Sequence, residues 1–249
     1  MNKVLVRNRF AMASETYDQQ AQAQKQITSH LADLIATHCD MQKAIDVFEF
    51  GCGTGELTKS INNQFDLNSL LVNDITPISN AFISKLDNAD YTFLEGDVEE
   101  LDLGENKFDL IAGASVIQWL HDIPLFLEKC NQALKSEGLL AFSTFLPTNL
   151  IEIRKTTGVG LNYLPIIDWL NYFADYEVLE CQKQSVTMLF DSPKEVLRHL
   201  KLTGVTGVIN QLWTPRRMYS FIDEYKKLYS NGDKVQLTYE PLYIILKKK

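Results

Sequence analysis

The chain of 249 residues has no uninterrupted apolar stretch near the ~20 residues that a membrane-crossing helix requires. Cysteine is scarce. Cys39, Cys52, Cys130 and Cys181 lie far apart with no C-x-x-C pair, which argues against a zinc site and for free thiols in a reducing compartment. The four histidines, His30, His38, His121 and His199, show no metal-ligand spacing, so no metal is expected. The stretch from Met1 to Ala13 holds scattered arginines and lacks the apolar core of a secretory signal, and a cytoplasmic location is expected. Internal repeats and low-complexity linkers are also missing.

Basic residues are few in the first part of the chain. Residues 1–146 carry 10 Lys and Arg against 21 Asp and Glu, whereas residues 147–249 carry 14 against 11. The net charge of −8 therefore belongs to the first part, which argues against nucleic acid as a partner. Lys194, Arg198, Lys201, Arg216, Arg217, Lys226 and Lys227 form either a docking face for an acidic partner or ordinary solvated helix faces; charge alone leaves both open.

What the chain does have is Val47-Phe48-Glu49-Phe50-Gly51-Cys52-Gly53-Thr54-Gly55. Apolar residues on both faces of Ile45–Phe50 predict a strand covered on both sides, in the middle of a parallel sheet. Glycine at every second position then permits φ > 0 and lets a ligand approach the main chain. Glu49 falls at the strand's carboxyl end, where open α/β sheets bind ligands. The dinucleotide fingerprint is G-x-G-x-x-G with a pyrophosphate on the helix N-terminus. Here the spacing is G-x-G-x-G behind an acid, which repels a pyrophosphate and attracts a cation. This form resembles the first motif of class I S-adenosylmethionine (SAM) methyltransferases, whose cofactor carries an ammonium and a sulfonium and no phosphate.

Along the chain, a helix is predicted over 14–38, with Ser14 as N-cap and Ile27, Leu31, Leu34 and Ile35 as its apolar stripe. The glutamine-rich stretch around Tyr17-Asp18 is too polar for a core helix and suits a segment that covers a ligand. Helix Glu56–Asn63, strand Ser69–Asp74 and a helix opening at Pro77 follow. Asp74 lies about 20 residues past the glycines, where an acid accepts from ribose hydroxyls. Tyr91–Leu94 is a short strand before Asp97-Val98. Phe108–Gly113 is a fourth strand, Asp122–Lys135 a helix, Leu134–Gly138 a helix stop and Leu139–Phe145 a fifth strand. This order gives a doubly wound sheet. Short helices over Asn149–Thr157 and Ile166–Phe173 come next. A long sixth strand over Tyr176–Phe190, helices Pro193–Leu202 and Pro215–Tyr229, and a last strand Leu237–Lys247 complete the reading.

Four further stretches resemble one family, the malonyl-acyl-carrier-protein O-methyltransferases of biotin synthesis. They are Phe10…Ala13…Tyr17-Asp18…Gln24; Val116-Ile117-Gln118-Trp119; Phe190-Asp191-Ser192-Pro193 with Leu200 to Gly204; and Leu237-Thr238-Tyr239. Phe142–Phe145 and Thr157–Tyr163 are similar too, so the likeness runs through nearly the whole chain. It departs at Ala114, where many relatives have Asn, and relatives also differ at Arg154.

The resemblance implies a Rossmann-like α/β fold with a mostly parallel seven-stranded sheet whose last strand is antiparallel. It implies one domain over residues 1–249, with an N-terminal helical lid at 1–40, a SAM-binding core at 41–146 and substrate-side helical insertions at 147–249. Cofactor contacts fall on Tyr17, Gln24, Glu49, Gly51, Cys52, Gly53, Gly55, Asn73, Asp74, Ile75, Asp97, Val98, Ala114 and Ser115. Asp97 accepts from the adenine amino group and the Val98 N–H meets the ring. Substrate contacts fall on Tyr17, Gln118, Trp119, Phe145, Arg154 and Lys201. The implied reaction is methylation of the free carboxylate of a malonyl thioester on acyl carrier protein, an acidic partner that suits the basic stretch from Lys194 to Lys227.

That chemistry asks for no general base, because a carboxylate is already ionised at pH 7. It needs alignment, and a cation so that the carboxylate is not buried unpaired. Arg154 and Lys201 are the two choices, and the residues alone do not decide between them. The absence of an Asp–His or Cys–His pair agrees. The alternatives are methyl transfer to a different small acceptor, such as a free acid or a quinone precursor, and a protein that holds SAM without turnover. His121 and His199 are read as structural.

Overall fold

The computed structural model describes residues 3, 7–8, 21–39, 43–86, 90–203 and 213–249. Its elements, in chain order, are α1 (Gln22–His38), β1 (Ile45–Phe50), α2 (Glu56–Gln64), β2 (Leu67–Asp74), α3 (Asn80–Lys85), β3 (Thr92–Glu95), β4 (Phe108–Ala114), a 3-10 turn (Ile117–Trp119), α4 (Ile123–Ala133) and β5 (Leu134–Phe145). Then come α5 (Ile151–Thr157), α6 (Ile166–Asn171), β6 (Tyr176–Lys183), β7 (Val186–Phe190), α7 (Pro193–Leu202), α8 (Pro215–Tyr229), β8 (Ser230–Asn231), β9 (Lys234–Tyr239) and β10 (Pro241–Lys248).

The main sheet has seven strands in the order β3-β2-β1-β4-β5-β10-β6. β1 pairs in parallel with β2 and with β4, and β10 runs antiparallel between β5 and β6. The sequence alternates cleanly in its central strands. Val47, Leu110, Ala112, Ala141 and Ile245 face α1, where Ile27, Leu31 and Ile35 are fully buried. Phe48, Phe50, Ile111, Leu140, Phe142 and Ile244 face α4 and α6, with Phe50 edge-on to Phe126 at 5.0 Å and Phe142 against Trp169 at 5.4 Å. Each such large side chain removed from water contributes about 1.5–3 kcal/mol. The chain reverses its direction of winding between β1 and β4, and the crevice beyond their carboxyl ends is where doubly wound sheets take ligands.

Two long strands of the sequence reading are each divided. Tyr176–Phe190 breaks at Gln184-Ser185 into β6 of the main sheet and β7 of a second sheet, and Leu237–Lys247 breaks at Glu240 into β9 and β10. The second sheet, β7-β9-β8, is antiparallel and carries α7 and α8. The two breaks sit side by side. The Gln184 N–H donates to the Pro241 carbonyl at 3.0 Å, Ser185 Oγ donates to the Glu240 carboxylate, and the Glu240 N–H donates to Asn149 Oδ1 at 3.0 Å. Pro241 has no N–H to continue a ladder, so it suits the first position of a strand.

Smaller differences have local causes. β5 begins at Leu134, not after a helix stop at Gly138. Lys135 bonds Asp46 at 2.6 Å and Asp109 at 2.7 Å, which holds that stretch in the sheet. β2 starts two residues earlier than expected, at Leu67, and α3 is capped by Ser79, whose Oγ accepts from the Phe82 N–H at 3.1 Å, so Pro77 lies in the preceding loop. The first helix is seen from Gln22; Ser14 lies outside the described residues. No described helix is long and apolar enough to cross a membrane.

Candidate functional site

The glycine turn after β1 is built as its spacing requires. Gly51, Gly53 and Gly55 have φ of 66°, 53° and 82°. Gly51 lies under Val116, whose methyl would meet an added Cβ at 2.4 Å, while a Cβ on Gly53 would meet nothing within 4 Å. The first glycine is thus needed for close packing, and the second leaves the backbone open to a ligand. Gly55 begins α2 and packs against Phe82 instead of lining the crevice.

Beyond the strand ends lies a crevice walled by most of the predicted cofactor residues. Gln24, Glu49, Gly51, Cys52, Gly53, Asn73, Asp74, Ile75, Asp97, Val98, Ala114 and Ser115 all contribute, together with Trp119. Three of these walls carry buried oxygen atoms with no hydrogen-bond partner among the described residues: Gln24 Oε1, Glu49 Oε2 and Ser115 Oγ. Buried polar atoms are rarely left unpaired unless a ligand or water completes them. Glu49 is 1% exposed, and burial, with the Asp74 charge adding to it, raises its carboxyl from 4.5 to about 8. Ser115 is held at φ 58° by N–H bonds to the Ser143 carbonyl at 3.1 Å and to Ser143 Oγ at 3.0 Å. Such a conformation in a serine is a strained one, of the kind that collects at ligand sites. A cluster of acceptors suits an ammonium, which has three N–H donors and no acceptor.

The other end of the crevice is also acidic. Asp74 accepts from the Gly53 N–H at 2.9 Å and from the N–H and hydroxyl of Thr76 at 2.8 and 2.7 Å, which orients it toward the glycine turn. Asn73 spends both amide hydrogens on the Leu94 and Gly96 carbonyls, at 2.8 and 3.0 Å, so its part is to shape the loop that presents Asp97. Lys3 bonds Asp97 and Glu99 and lines the crevice, and Arg7 pairs with Glu95. The sequence reading missed Lys3, because nothing in a lone lysine near the terminus marks the loop it reaches. Cys52 is a buried thiol whose pKa burial pushes up, so it stays protonated.

The predicted substrate residues separate. Gln118 stands on the 3-10 turn, its amide N–H donating to the Ser115 carbonyl at 2.6 Å and its oxygen accepting from Thr144 Oγ1 at 3.3 Å. It lines a second cavity with Thr144, Asn162, Tyr163 and Trp169, across the turn from the crevice that Trp119 lines. Phe145 is core, edge-on to Tyr163 at 5.8 Å. Arg154 donates to the Leu161 carbonyl and packs on Gly160, and its charge acts on the buried Tyr163 hydroxyl. Lys201 is exposed on α7 and walls neither cavity. Tyr17 lies outside the described residues. His199 is buried against Tyr239, 2.8 Å from its hydroxyl, and burial lowers its pKa to about 4, as a structural histidine requires. No group of three or more His, Cys, Asp or Glu that could hold a metal occurs among the described residues.

The sheet order, the antiparallel β10 and the acid–glycine crevice define a class I methyltransferase fold. A family model described as a methyltransferase domain matches residues 48–142. The YcgJ protein of Bacillus subtilis has the same fold, with a TM-score of 0.65 at 14% identity over 89% of this chain and 99% of that one. An S-adenosylmethionine-dependent methyltransferase from Mesorhizobium loti gives 0.51 at 12% identity, over 87% and 96%.

Curated relatives narrow the class. A malonyl-[acyl-carrier protein] O-methyltransferase of Acinetobacter baylyi is 35% identical over 100% of this chain and 98% of its own length, and that of Haemophilus influenzae 36% identical over 98% and 94%. One from Bacteroides fragilis is 38% identical over 100% of this chain, which spans 51% of that longer protein. The chain belongs to the malonyl-[acyl-carrier protein] O-methyltransferase family.

Proposed function

We propose that the chain transfers the methyl group of SAM to the free carboxylate of a malonyl thioester on acyl carrier protein, giving the methyl ester that starts biotin synthesis. The observation that carries this reading is the trio of buried oxygens on Gln24, Glu49 and Ser115, without a hydrogen-bond partner among the described residues, at the switch point of the sheet, in a chain whose relatives are malonyl-carrier methyltransferases. Bound SAM supplies a methyl group on a positively charged sulfur. The chain's own residues do the rest. Glu49 gives up its proton when a cation arrives and faces it as a carboxylate. Asp74 accepts from ribose hydroxyls, and Asp97 with the Val98 N–H reads the adenine edge.

On the acceptor side the carboxylate arrives ionised, so the protein has only to hold it in line. Gln118 and Trp119, on the turn between the two cavities, are its nearest polar walls. Arg154 is the cation we assign to it in preference to Lys201, because its charge acts on the Tyr163 hydroxyl, a wall of the second cavity, whereas Lys201 walls neither cavity. A guanidinium fork can orient one oxygen and leave the other free to attack.

The whole chain acts as one unit in this reading, in the cytoplasm. Residues 1–40 cover the cofactor, with Lys3 pinned to Asp97 over the adenine end and α1 anchored in the core. The acidic carrier docks on α7 and α8. There Lys194, Arg198, Lys201, Arg216, Arg217, Lys226 and Lys227 are all exposed, beside Tyr219 at 75% exposure. The test is transfer of labelled methyl from SAM to malonyl carrier protein, with malonyl-CoA and a quinol precursor as competitors. The expected product is a base-labile ester on the malonyl group; label on the quinol alone, or on none, refutes the proposal.

A further inference from the structure

The second cavity has a volume of about 350 Å³, within the range of small-molecule sites. Its walls combine apolar faces, Leu120, Ile123, Pro124 and Leu164, with the polar side chains of Gln118, Thr144, Asn162 and Tyr163, and with His121, whose Nδ1 stands 3.6 Å from the Glu99 carboxylate. No Asp, Glu, Lys or Arg is among its walls and His121 is turned to Glu99, so the body of the cavity suits an uncharged chain better than a phosphate. It is nevertheless rich in uncommitted donors. Trp169 is 1% exposed and its indole N–H has no acceptor among the described residues. The Tyr163 hydroxyl accepts from Asn149 Nδ2 at 3.0 Å, which leaves its own proton to give, and burial pushes its pKa up to about 12, so it remains a phenol. Gln118 gives one amide hydrogen to Ser115 and keeps the other.

A ligand that satisfies this wall carries carbonyl oxygens separated by methylene groups and has no charge. We propose that the cavity seats the amide-bearing pantetheine arm that tethers the malonyl group, with the thioester carbonyl at Gln118 and an amide carbonyl toward Trp169. This rests on the methyl-transfer reading above and adds to it: the enzyme selects its acceptor by the arm as well as by the carboxylate. The position fits. Gln118 and Trp119 are adjacent on one turn, so a chain lying in this cavity brings its malonyl end to the wall it shares with the cofactor crevice. The loop 158–165 that closes the other side hangs from α5, which packs on α8 of the proposed docking face.

The test compares two acceptors with the full-length protein: malonyl-pantetheine, and a malonyl S-methyl thioester that lacks the arm. Wild type should use the armed acceptor with a kcat/KM about tenfold or more higher, the worth of one buried hydrogen bond. Trp169→Phe, which removes the N–H and keeps a ring, and Leu164→Trp, which fills the cavity, should bring the armed acceptor down to the armless one. Neither should change the armless rate or the affinity for S-adenosylhomocysteine. Binding is read separately, by quenching of tryptophan fluorescence as pantetheine alone is titrated in: wild type should respond and Leu164→Trp should not. Equal use of both acceptors by wild type, or equal losses on both in the variants, overturns the arm site. So does a failure of pantetheine to bind at millimolar concentration. Pantetheine binding without methylation of any malonyl thioester would instead keep the site and refute the methyl-transfer reading.

Discussion

Glu49 should make cofactor binding release a proton. Its carboxyl is buried to 1% exposure, and burial raises it to about 8, so the free protein holds it neutral at pH 6. An ammonium ligand needs it ionised. At pH 6 about one molecule in a hundred is in that form and at pH 8 about half, so the affinity should climb by more than about tenfold across this span, on the order of 2 kcal/mol. The climb should flatten near pH 8, where an α-amino group of the ligand begins to lose its own charge. Calorimetry with S-adenosylhomocysteine in buffers of different ionisation heat measures both the affinity and the proton released. Stability should move in the opposite sense. Between pH 4.5 and 8 the folded state keeps a proton that the unfolded chain gives up, so this contribution to stability is full below pH 4.5 and is lost as pH rises to 8. Glu49→Gln cannot ionise. It should therefore bind the ligand poorly at every pH, yet melt higher than the unliganded wild type at pH 8, by about 2–4 °C per kcal/mol recovered. An affinity that does not vary from pH 6 to 8, with no proton released, would refute the assignment of Glu49 to a cation.

Three further outcomes can be checked. Gly51→Ala places a methyl 2.4 Å from Val116 at φ 66° and should cost about 2–4 kcal/mol in denaturant melts, whereas Gly53→Ala, with nothing within 4 Å, should cost about 1 kcal/mol but abolish S-adenosylhomocysteine binding. Arg154→Gln should lower kcat/KM for malonyl thioesters about a hundredfold, as loss of a buried charge partner does, while Lys201→Gln should leave malonyl-CoA turnover within about twofold; the reverse ranking would return the carboxylate to Lys201. Reversing the charges of Arg216 and Arg217, or of Lys226 and Lys227, should weaken use of the carrier protein and steepen no salt dependence with malonyl-CoA. Equal losses on both acceptors would remove α8 as a docking face.

The crevice was legible because its chemistry is local. An acid, three glycines and a second acid one strand later specify a turn through spacing, and the structure brings Glu49, Asp74 and Asp97 to one crevice. The second cavity was not legible in the same way. Thr144, Asn162, Tyr163 and Trp169 are common residues on three different elements, and only tertiary packing makes them neighbours. The division of two strands at Gln184-Ser185 and Glu240 escaped for a related reason. Apolar alternation runs straight through both breaks, and what separates the sheets is hydrogen bonding between segments more than 50 residues apart. The expected helix stop at Leu134–Gly138 failed because Lys135 answers to Asp46 and Asp109, contacts that no local propensity encodes.

The paired breaks have an evolutionary consequence. The stretch from Val186 to Tyr239, with its small sheet and both basic helices, leaves and rejoins the large sheet at touching points, Gln184-Ser185 and Glu240-Pro241. Segments whose ends meet can be exchanged without rethreading what surrounds them. A lineage could therefore swap this cassette for one of another shape and recruit the same methyl-donor engine to a new client, leaving the glycine turn untouched.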